Sequence, residues 1–407
     1  MQAELYAEEI GYRKWLPSVL RVEDTPVETN SWDIPYTIGQ LSYLTHSHYR
    51  YYGKFPSAVA AQILEEFGPT KKSQYVLDNF CGSGTSLVEA KLRGIKSYGV
   101  DISWISALVS NVKTRHVNLA AVKNQLIALH NMELSNLELL PFESAFAQRW
   151  FGAETITDLR YIQTWLFSLN SSPERDFLLV AFLAIIRRVS KAHDAEVRPH
   201  IKADKKERSV FPAFKKKVLD MIEAHDLFQT VTLREVASTC YTANNIALPG
   251  QFDDGGCALV ISHPPYLNSF NYRPVFSLEF FWGSPFEAEF APAGSQDLIW
   301  DELIAHPANE PITAKYFSHL EACYSAAYDI QPMGGKLAVV IGDCTRSGKL
   351  IPVIDTTIAR VTFLGYKLIQ KNYRSTHYGL GKYAYAHRAD YHGEDVEKKD
   401  AILVFEK

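Results

Sequence analysis

The stretch Tyr75-Val76-Leu77-Asp78-Asn79-Phe80-Cys81-Gly82-Ser83-Gly84-Thr85-Ser86 reads as a short strand, a glycine-bearing loop and the start of a helix. Tyr75 to Leu77 is a short apolar run of the kind found in parallel strands buried on both faces. Loops at the carboxyl ends of such strands are where doubly wound sheets bind nucleotides. Gly82 and Gly84 let the backbone turn tightly and approach a ligand without a Cβ in the way. Asp78 is placed to accept a hydrogen bond or to hold the loop through its N–H groups. A second run, Ser97-Tyr98-Gly99-Val100, ends at Asp101. An acidic side chain there suits the two hydroxyls of a cofactor ribose. The nicotinamide version of the motif is disfavoured, because Ser86 or Leu87 stands where its third glycine belongs. The P-loop version fails because no Gly-Lys-Ser/Thr follows. Taken without Asp101, the loop reads equally well as an ordinary strand-to-helix turn.

A second segment, Ser262-His263-Pro264-Pro265-Tyr266, follows another apolar run, Leu259-Val260-Ile261. Consecutive prolines fix an extended backbone without N–H donors and leave carbonyl oxygens to accept. Tyr266 offers an aromatic face. A further run, Leu337-Ala338-Val339-Val340-Ile341, leads into Gly342-Asp343. Helical patterns separate several of these runs, among them Thr85 to Leu92 and Pro352 to Leu364. Alternation of this kind predicts a doubly wound α/β sheet. The C-terminus departs from it. Tyr366-Lys367-Leu368-Ile369 and Ala401-Ile402-Leu403-Val404-Phe405 read as an antiparallel hairpin around an excursion from His377 to Asp400. Between about 118 and 228 the pattern is mostly helical, as in Ile156 to Leu169 and Asp176 to Val189. Basic residues from Lys191 to Lys217 cluster near its end, and the whole stretch reads as an insertion.

The chain has 407 residues, 47% of them apolar, enough to build a large core. A formal net charge of −4 confines any nucleic-acid surface to a local patch. Cys81, Cys240, Cys257, Cys323 and Cys344 show no CxxC pairing. That fits reduced thiols and argues against a disulfide framework or a metal site. The opening MQAELYAEEIGYRKW has no apolar core of a signal peptide, and the longest apolar stretch, Phe177 to Ile186, is too short to span a bilayer. A cytoplasmic protein with no membrane association is expected.

Asp78 to Ser86 resembles the cofactor motif of the amino-directed DNA methyltransferases, D-P-F-C/A-G-S-G-T-T, with Asn79 where the family has Pro. His48-Tyr49-Arg50-Tyr51-Tyr52-Gly53-Lys54-Phe55-Pro56 is similar to the family's H-x-Y-P-x-K-F segment. Ser262 to Tyr266 resembles its D/N/S-P-P-Y/F clamp, with His263 in the leading place. Leu267 to Arg273, Ser277 to Gly283, Gly334-Gly335-Lys336 and Gly342-Asp343 resemble a subgroup usually linked to cytosine. The resemblance covers roughly residues 40–115 and 235–407.

The resemblance implies a Rossmann-like methyltransferase sheet and S-adenosylmethionine as cofactor. It implies methyl transfer to cytosine N4, slightly preferred, or adenine N6 in double-stranded DNA, with the base flipped out of the duplex. It also implies a restriction–modification or defence setting with partner proteins. Residues 1–117 would then form the N-terminal part of the catalytic domain, 118–230 a helical insertion for target recognition, and 231–407 the C-terminal part. Lys54, Phe55 and Pro56 are expected at the methionine end of the cofactor. Asp78, Phe80, Cys81, Gly82, Ser83, Gly84 and Thr85 would form its loop, and Asp101 and Ile102 its ribose side. Asn244, after a strand at Val236 to Cys240, would contact the cofactor's adenine, against the plainer reading of a turn residue. Ser262, Pro264, Pro265 and Tyr266 would hold the target base, and neutral His263 would accept from its amine, against the plainer reading that His263 is a turn residue and the clamp is Pro264, Pro265 and Tyr266 alone.

DNA contacts are expected from the 191–217 stretch, the loop after Tyr266, and segments 284–315 and 374–399. Arg187, Arg188, Lys215, Lys216 and Lys217 are candidate phosphate contacts, against the plainer reading of a solvated helix face. Two other functions stay open. One is an RNA methyltransferase, although only about 75 residues precede the loop, little room for an RNA-binding domain. The other is an inactive DNA-binding subunit, for which Asn79 and His263 are the support.

Overall fold

Strands that are apolar on both faces form the middle of one sheet. β1 (Tyr75–Asp78) is buried along its whole length. β2 (Ser97–Asp101), β3 (Ser238–Thr242), β4 (Cys257–Ser262) and β5 (Lys336–Gly342) run parallel with it. β6 (Cys344–Arg346) and β7 (Lys349–Ile351) pair as a separate ribbon. β8 (Lys367–Ser375) and β9 (Lys399–Glu406) complete a seven-stranded sheet of order β3-β2-β1-β4-β5-β9-β8, with β9 antiparallel to both neighbours. This is the doubly wound sheet and C-terminal antiparallel pair expected from the sequence. The chain winds outward from β1 to β3, then returns to β4 on the other side of β1. Such a reversal opens a crevice at the strands' carboxyl ends. The computed structural model describes residues 32, 39, 41–133, 137–142, 144–248, 252, 256–291, 302–347, 349–375 and 399–407. The 377–400 excursion lies outside these residues except for its last two, which begin β9.

Eleven helices of at least seven residues are described: α1 (Ser57–Phe67), α2 (Thr85–Leu92), α3 (Trp104–Thr114), α4 (Leu119–His130), α5 (Ser144–Trp150), α6 (Ala153–Ser168), α7 (Pro173–Val189), α8 (Val210–Val231), α9 (Ser277–Gly283), α10 (Glu310–Ile330) and α11 (Val353–Phe363). Strand side chains alternate between the sheet faces. Val76, Leu259, Ile261 and Val340 pack on Val59, Ile63 and Leu64 of α1. Tyr75, Leu77, Val260 and Val339 pack on α10 and α11 through Leu320, Tyr324, Ile354 and Val361. Side-chain caps fix where several helices begin. Ser172 accepts from Arg175 N–H at 3.2 Å ahead of Pro173, so α7 starts before the apolar periodicity does. Asn309 caps α10 in the same way, accepting from Ile312 N–H at 2.9 Å; neither α10 nor the β6–β7 ribbon is legible from periodicity.

Helices α4 to α8 share a single core with α3 and α9. Trp104, Leu108, Trp165, Phe177, Phe182, Phe214 and Trp282 all belong to it. The basic residues of this region are largely occupied. Arg187 is 6% exposed, and its guanidinium donates to the carbonyls of Glu196 (2.7 Å), Val197 (3.1 Å), His193 and Val275 (both 3.4 Å). It ties the 193–197 turn to α7 and is not a free phosphate contact. Lys217 donates to Ser47 O at 3.1 Å, Lys216 pairs with Asp220, and Lys215 is exposed. Among the described residues no helix is long and apolar enough to cross a membrane, and no group of three or more His, Cys, Asp or Glu could hold a metal ion.

Candidate active site

β1 and β4 end side by side, with Asp78 opposite Ile261. The loop leaving β1 and the Pro-Pro segment leaving β4 therefore open onto one cleft of about 1000 Å³, part of it open to solvent. Lys54, Phe55, Asp78, Phe80, Cys81, Gly82, Ser83, Thr85, Asp101, Ile102, His263 and Pro265 line it. Predicted residues from both segments thus meet in space.

The glycine loop is held from beneath. Asp78 Oδ1 accepts from Phe80 N–H at 3.1 Å, closing the first turn. Gly84 has φ +74°, and a Cβ there would lie 2.7 Å from Ser110 Oγ and 2.9 Å from its Cα. Glycine is required on both counts. The Ser110 hydroxyl donates to Gly82 O at 3.1 Å, and the buried Lys113 ammonium to Ser83 O at 2.7 Å. Gly82 N–H donates to Asp101 Oδ2 at 2.7 Å, while Asp101 Oδ1 accepts from Ser103 N–H at 2.9 Å. Burial pushes Asp78 up to about 7 and Asp101 up to about 6, against hydrogen bonds that pull both down. Burial brings Lys54 down to about 8; its ammonium donates to His46 O at 3.1 Å.

In the second segment, the His263 ring stacks on Phe55, with centroids 4.8 Å apart and planes at 19°, and meets Tyr266 edge-on at 5.3 Å. Burial first, then the Arg374 guanidinium, push His263 down to about 3, so the imidazole is neutral. Arg374 is itself held by Asp400 at 2.7 Å. Pro265 O accepts from the Tyr316 hydroxyl at 2.8 Å. The Pro264 carbonyl has no hydrogen-bond partner among the described residues.

Six predicted residues do not line the cleft. Pro56 precedes the first turn of α1. Gly84 faces Ser110. Pro264 is buried. Ser262 is fully buried and donates to the Tyr324 hydroxyl at 3.5 Å, on the α10 side. The Tyr266 hydroxyl is buried, and the charges nearest it are those of the Arg374–Asp400 pair. Asn244 accepts from Ile246 N–H at 3.1 Å, a local turn bond. Its neighbour Asn245 lines the cleft instead, donating to Asn79 O at 3.0 Å and meeting His319 Nε2 at 3.1 Å. His48 is also removed from the cleft and pairs with His225 Nδ1 at 3.1 Å.

The structure adds an aromatic wall. Tyr51 and Tyr272 stack at 5.5 Å and 27°, Tyr272 and Phe276 at 6.4 Å and 14°, and Phe280 completes it. Glu302, also in the cleft, accepts from the N–H groups of Tyr272 and Arg273, the latter at 3.0 Å. Asn271 binds His306 and Ala305 across the same junction. Tyr51, Tyr272 and Phe280 lie in stretches that carry the family resemblance, but periodicity alone does not set their rings apart from core. Glu302 has no motif around it.

Residues 5–108 match a family model described as DNA methylase, N6_N4_Mtase. The Type II methyltransferase M.MvaI of Kocuria varians is 26% identical over 56% of this chain and 54% of its own length. M.BsoBI of Geobacillus stearothermophilus is also 26% identical, over 58% of this chain and 52% of its own. The chain thus spans about half the length of these curated relatives. Among solved structures, a geranyl diphosphate methyltransferase in complex with SAM aligns over 86% of this chain at 10% identity with a TM-score of 0.35.

Proposed function

We propose, with the amino-directed DNA methylases as its family, that this chain transfers a methyl group from S-adenosylmethionine to an exocyclic base amine in double-stranded DNA. The observation that carries the reading is the meeting of the glycine loop and the Pro-Pro segment in one cleft at the β1–β4 crevice. The residues there fit the cofactor. Ser83 carries a buried hydroxyl without a partner, Asp101 stands at the end of β2, and Phe80 and Ile102 supply apolar surface. Asp101 would accept from the ribose hydroxyls, and Lys54 would meet the carboxylate of the methionine end. When bound, S-adenosylmethionine supplies the methyl group as an electrophile.

The chain's own part is to hold the amine in line. Duplex DNA hides that amine, so the base is flipped into the cleft at a cost of about a few kcal/mol. One ring nitrogen of His263, which lines the cleft, accepts an amine hydrogen and so turns the nitrogen lone pair toward the methyl group, and the methylated amine then sheds its extra proton to solvent. His263 accepts only when neutral, the state that desolvation and the nearby Arg374 guanidinium both favour. Placement of this kind contributes roughly 7–11 kcal/mol to catalysis. We take cytosine N4 as the target, from the resemblance of Leu267 to Gly283 to the cytosine subgroup, with adenine N6 as the alternative.

The test is to incubate the protein with random-sequence duplexes and methyl-labelled S-adenosylmethionine, then analyse the nucleosides by mass spectrometry. N4-methylcytosine is expected. N6-methyladenine would move the target, and neither product would sink the reading. His263→Phe keeps the stack on Phe55 and removes the acceptor, so the transfer rate should fall at least about a hundredfold.

A further inference from the structure

Asn79 carries a buried carboxamide that the protein leaves without a partner. The residue is 1% exposed, and neither Oδ1 nor Nδ2 makes a hydrogen bond. Buried polar groups are rarely left in that state, and one set in the wall of a cleft is placed to meet a ligand. Its backbone, by contrast, is fully used. The N–H donates to Ile261 O at 3.3 Å, and the carbonyl accepts from Asn245 Nδ2 at 3.0 Å. Those bonds fix Asn79 between the glycine loop and the strand leading into the Pro-Pro segment. Asp78 pairs with Ile261, so Asn79 stands abreast of Ser262, one residue before His263. It lines the same cleft as His263 and Pro265. The other amide and carboxylate side chains on that side, Asn245 and Glu302, are already engaged.

We propose that the Asn79 carboxamide binds the flipped base, its Nδ2 donating to the ring nitrogen beside the amine. This rests on reading the cleft as a base-methylating site. His263 is spent as an acceptor on the amine, and the two prolines beside it have no N–H to offer the ring. Cytosine N3 and adenine N1 are both unprotonated acceptors next to the amine, and a flipped base is read along that edge. A proline at position 79 could make no such contact. The departure from the family pattern at 79 therefore accompanies the departure at 263, each one residue beyond the end of a paired strand.

The test combines protein and base variants in single-turnover transfer. Asn79→Ala should lower the rate about tenfold, the worth of one such bond, with S-adenosylmethionine affinity by calorimetry and the unfolding midpoint essentially unchanged. Asn79→Asp, which replaces the donor by an acceptor of the same shape, should be slower still. Wild type should lose about tenfold on a duplex carrying 3-deazacytosine at the target (1-deazaadenine if adenine is the product), and Asn79→Ala should lose nothing more. Losses that multiply, or an unaltered rate for Asn79→Ala, would overturn the proposal. So would a changed cofactor affinity with an unchanged rate, which would assign the amide to the cofactor. A wild-type protein that methylates neither base would instead remove the functional reading beneath it.

Discussion

Replacing Gly84 by alanine tests whether α3 really sets the shape of the glycine loop. Gly84 sits at φ +74°, immediately before α2. An L-residue in that region costs about 1–2 kcal/mol. The new methyl group would also lie 2.7–2.9 Å from Ser110 Oγ, Cβ and Cα, closer than real Cβ contacts allow. One of these atoms is backbone, so the helix itself must move, and overpacking of this kind costs about 1–3 kcal/mol. The sum is about 2–5 kcal/mol. Equilibrium urea unfolding of Gly84→Ala, Ser110→Gly and the double variant separates the parts. Ser110→Gly removes Oγ and Cβ but not Cα, so it relieves part of the clash and none of the φ cost. The double variant should therefore be less destabilised than the two singles summed, by about 1–2 kcal/mol. Additivity within about 0.5 kcal/mol, or a Gly84→Ala protein as stable as wild type, would refute the account of the loop.

Cofactor affinity should depend on pH through Asp101. Its folded carboxyl titrates at about 6, above the ordinary 3.8, and must lose its proton before accepting two hydroxyls. Affinity by calorimetry should fall by up to about tenfold per pH unit below that value, and Asp101→Asn should flatten the profile; a flat wild-type profile would contradict the assignment. The same shift has an opposite sign for the ligand-free fold. Asp78 and Asp101 bind protons more tightly folded than unfolded, so their contribution is full below about pH 4 and is lost as pH rises through about 6 and 7; urea midpoints across that window check it. Arg187→Met should cost at least about 3 kcal/mol in unfolding free energy, since four carbonyls lose a charged donor, yet leave the salt dependence of DNA binding unchanged. A fall of about one in that slope would put Arg187 on a phosphate.

The parts of the site legible in the sequence are those made by local chemistry. Gly82 and Gly84 announce a tight turn, Asp101 ends a run that can only be a buried strand, and Pro264-Pro265 constrains its own backbone. Each works through its own neighbours, so spacing along the chain reveals it. Tyr266 is different. Its aromatic character is plain, but its hydroxyl is buried near a pair formed by Arg374 of β8 and Asp400 of β9, strands far along the chain. Arg187 reads as a surface cation because sequence displays charge and not the carbonyls of the 193–197 turn that surround it. The wall of Tyr51, Tyr272 and Phe276 draws on segments from both sides of the helices between β2 and β3, and no period connects them. Glu302 and α10 show the same limit: one depends on which backbone N–H groups arrive beside it, the other on a cap at Asn309 that precedes its apolar pattern.

Trp282 sits in the segment after the Pro-Pro motif, yet its ring lies 5.4 Å from Phe142 and 5.6 Å from Phe151, and its carbonyl accepts from Gln163 Nε2 at 2.7 Å. The helices between β2 and β3 and the segment after β4 therefore cannot be exchanged separately. A chimera that imported only residues 118–230 from a relative would have crossover points through the middle of one packed interior. It would expose Trp282 to foreign partners and fold poorly, whatever its preference for DNA. Recombination that preserves this protein must carry both segments together, so diversification of the helical region is tied to a short stretch of chain that borders the cleft itself.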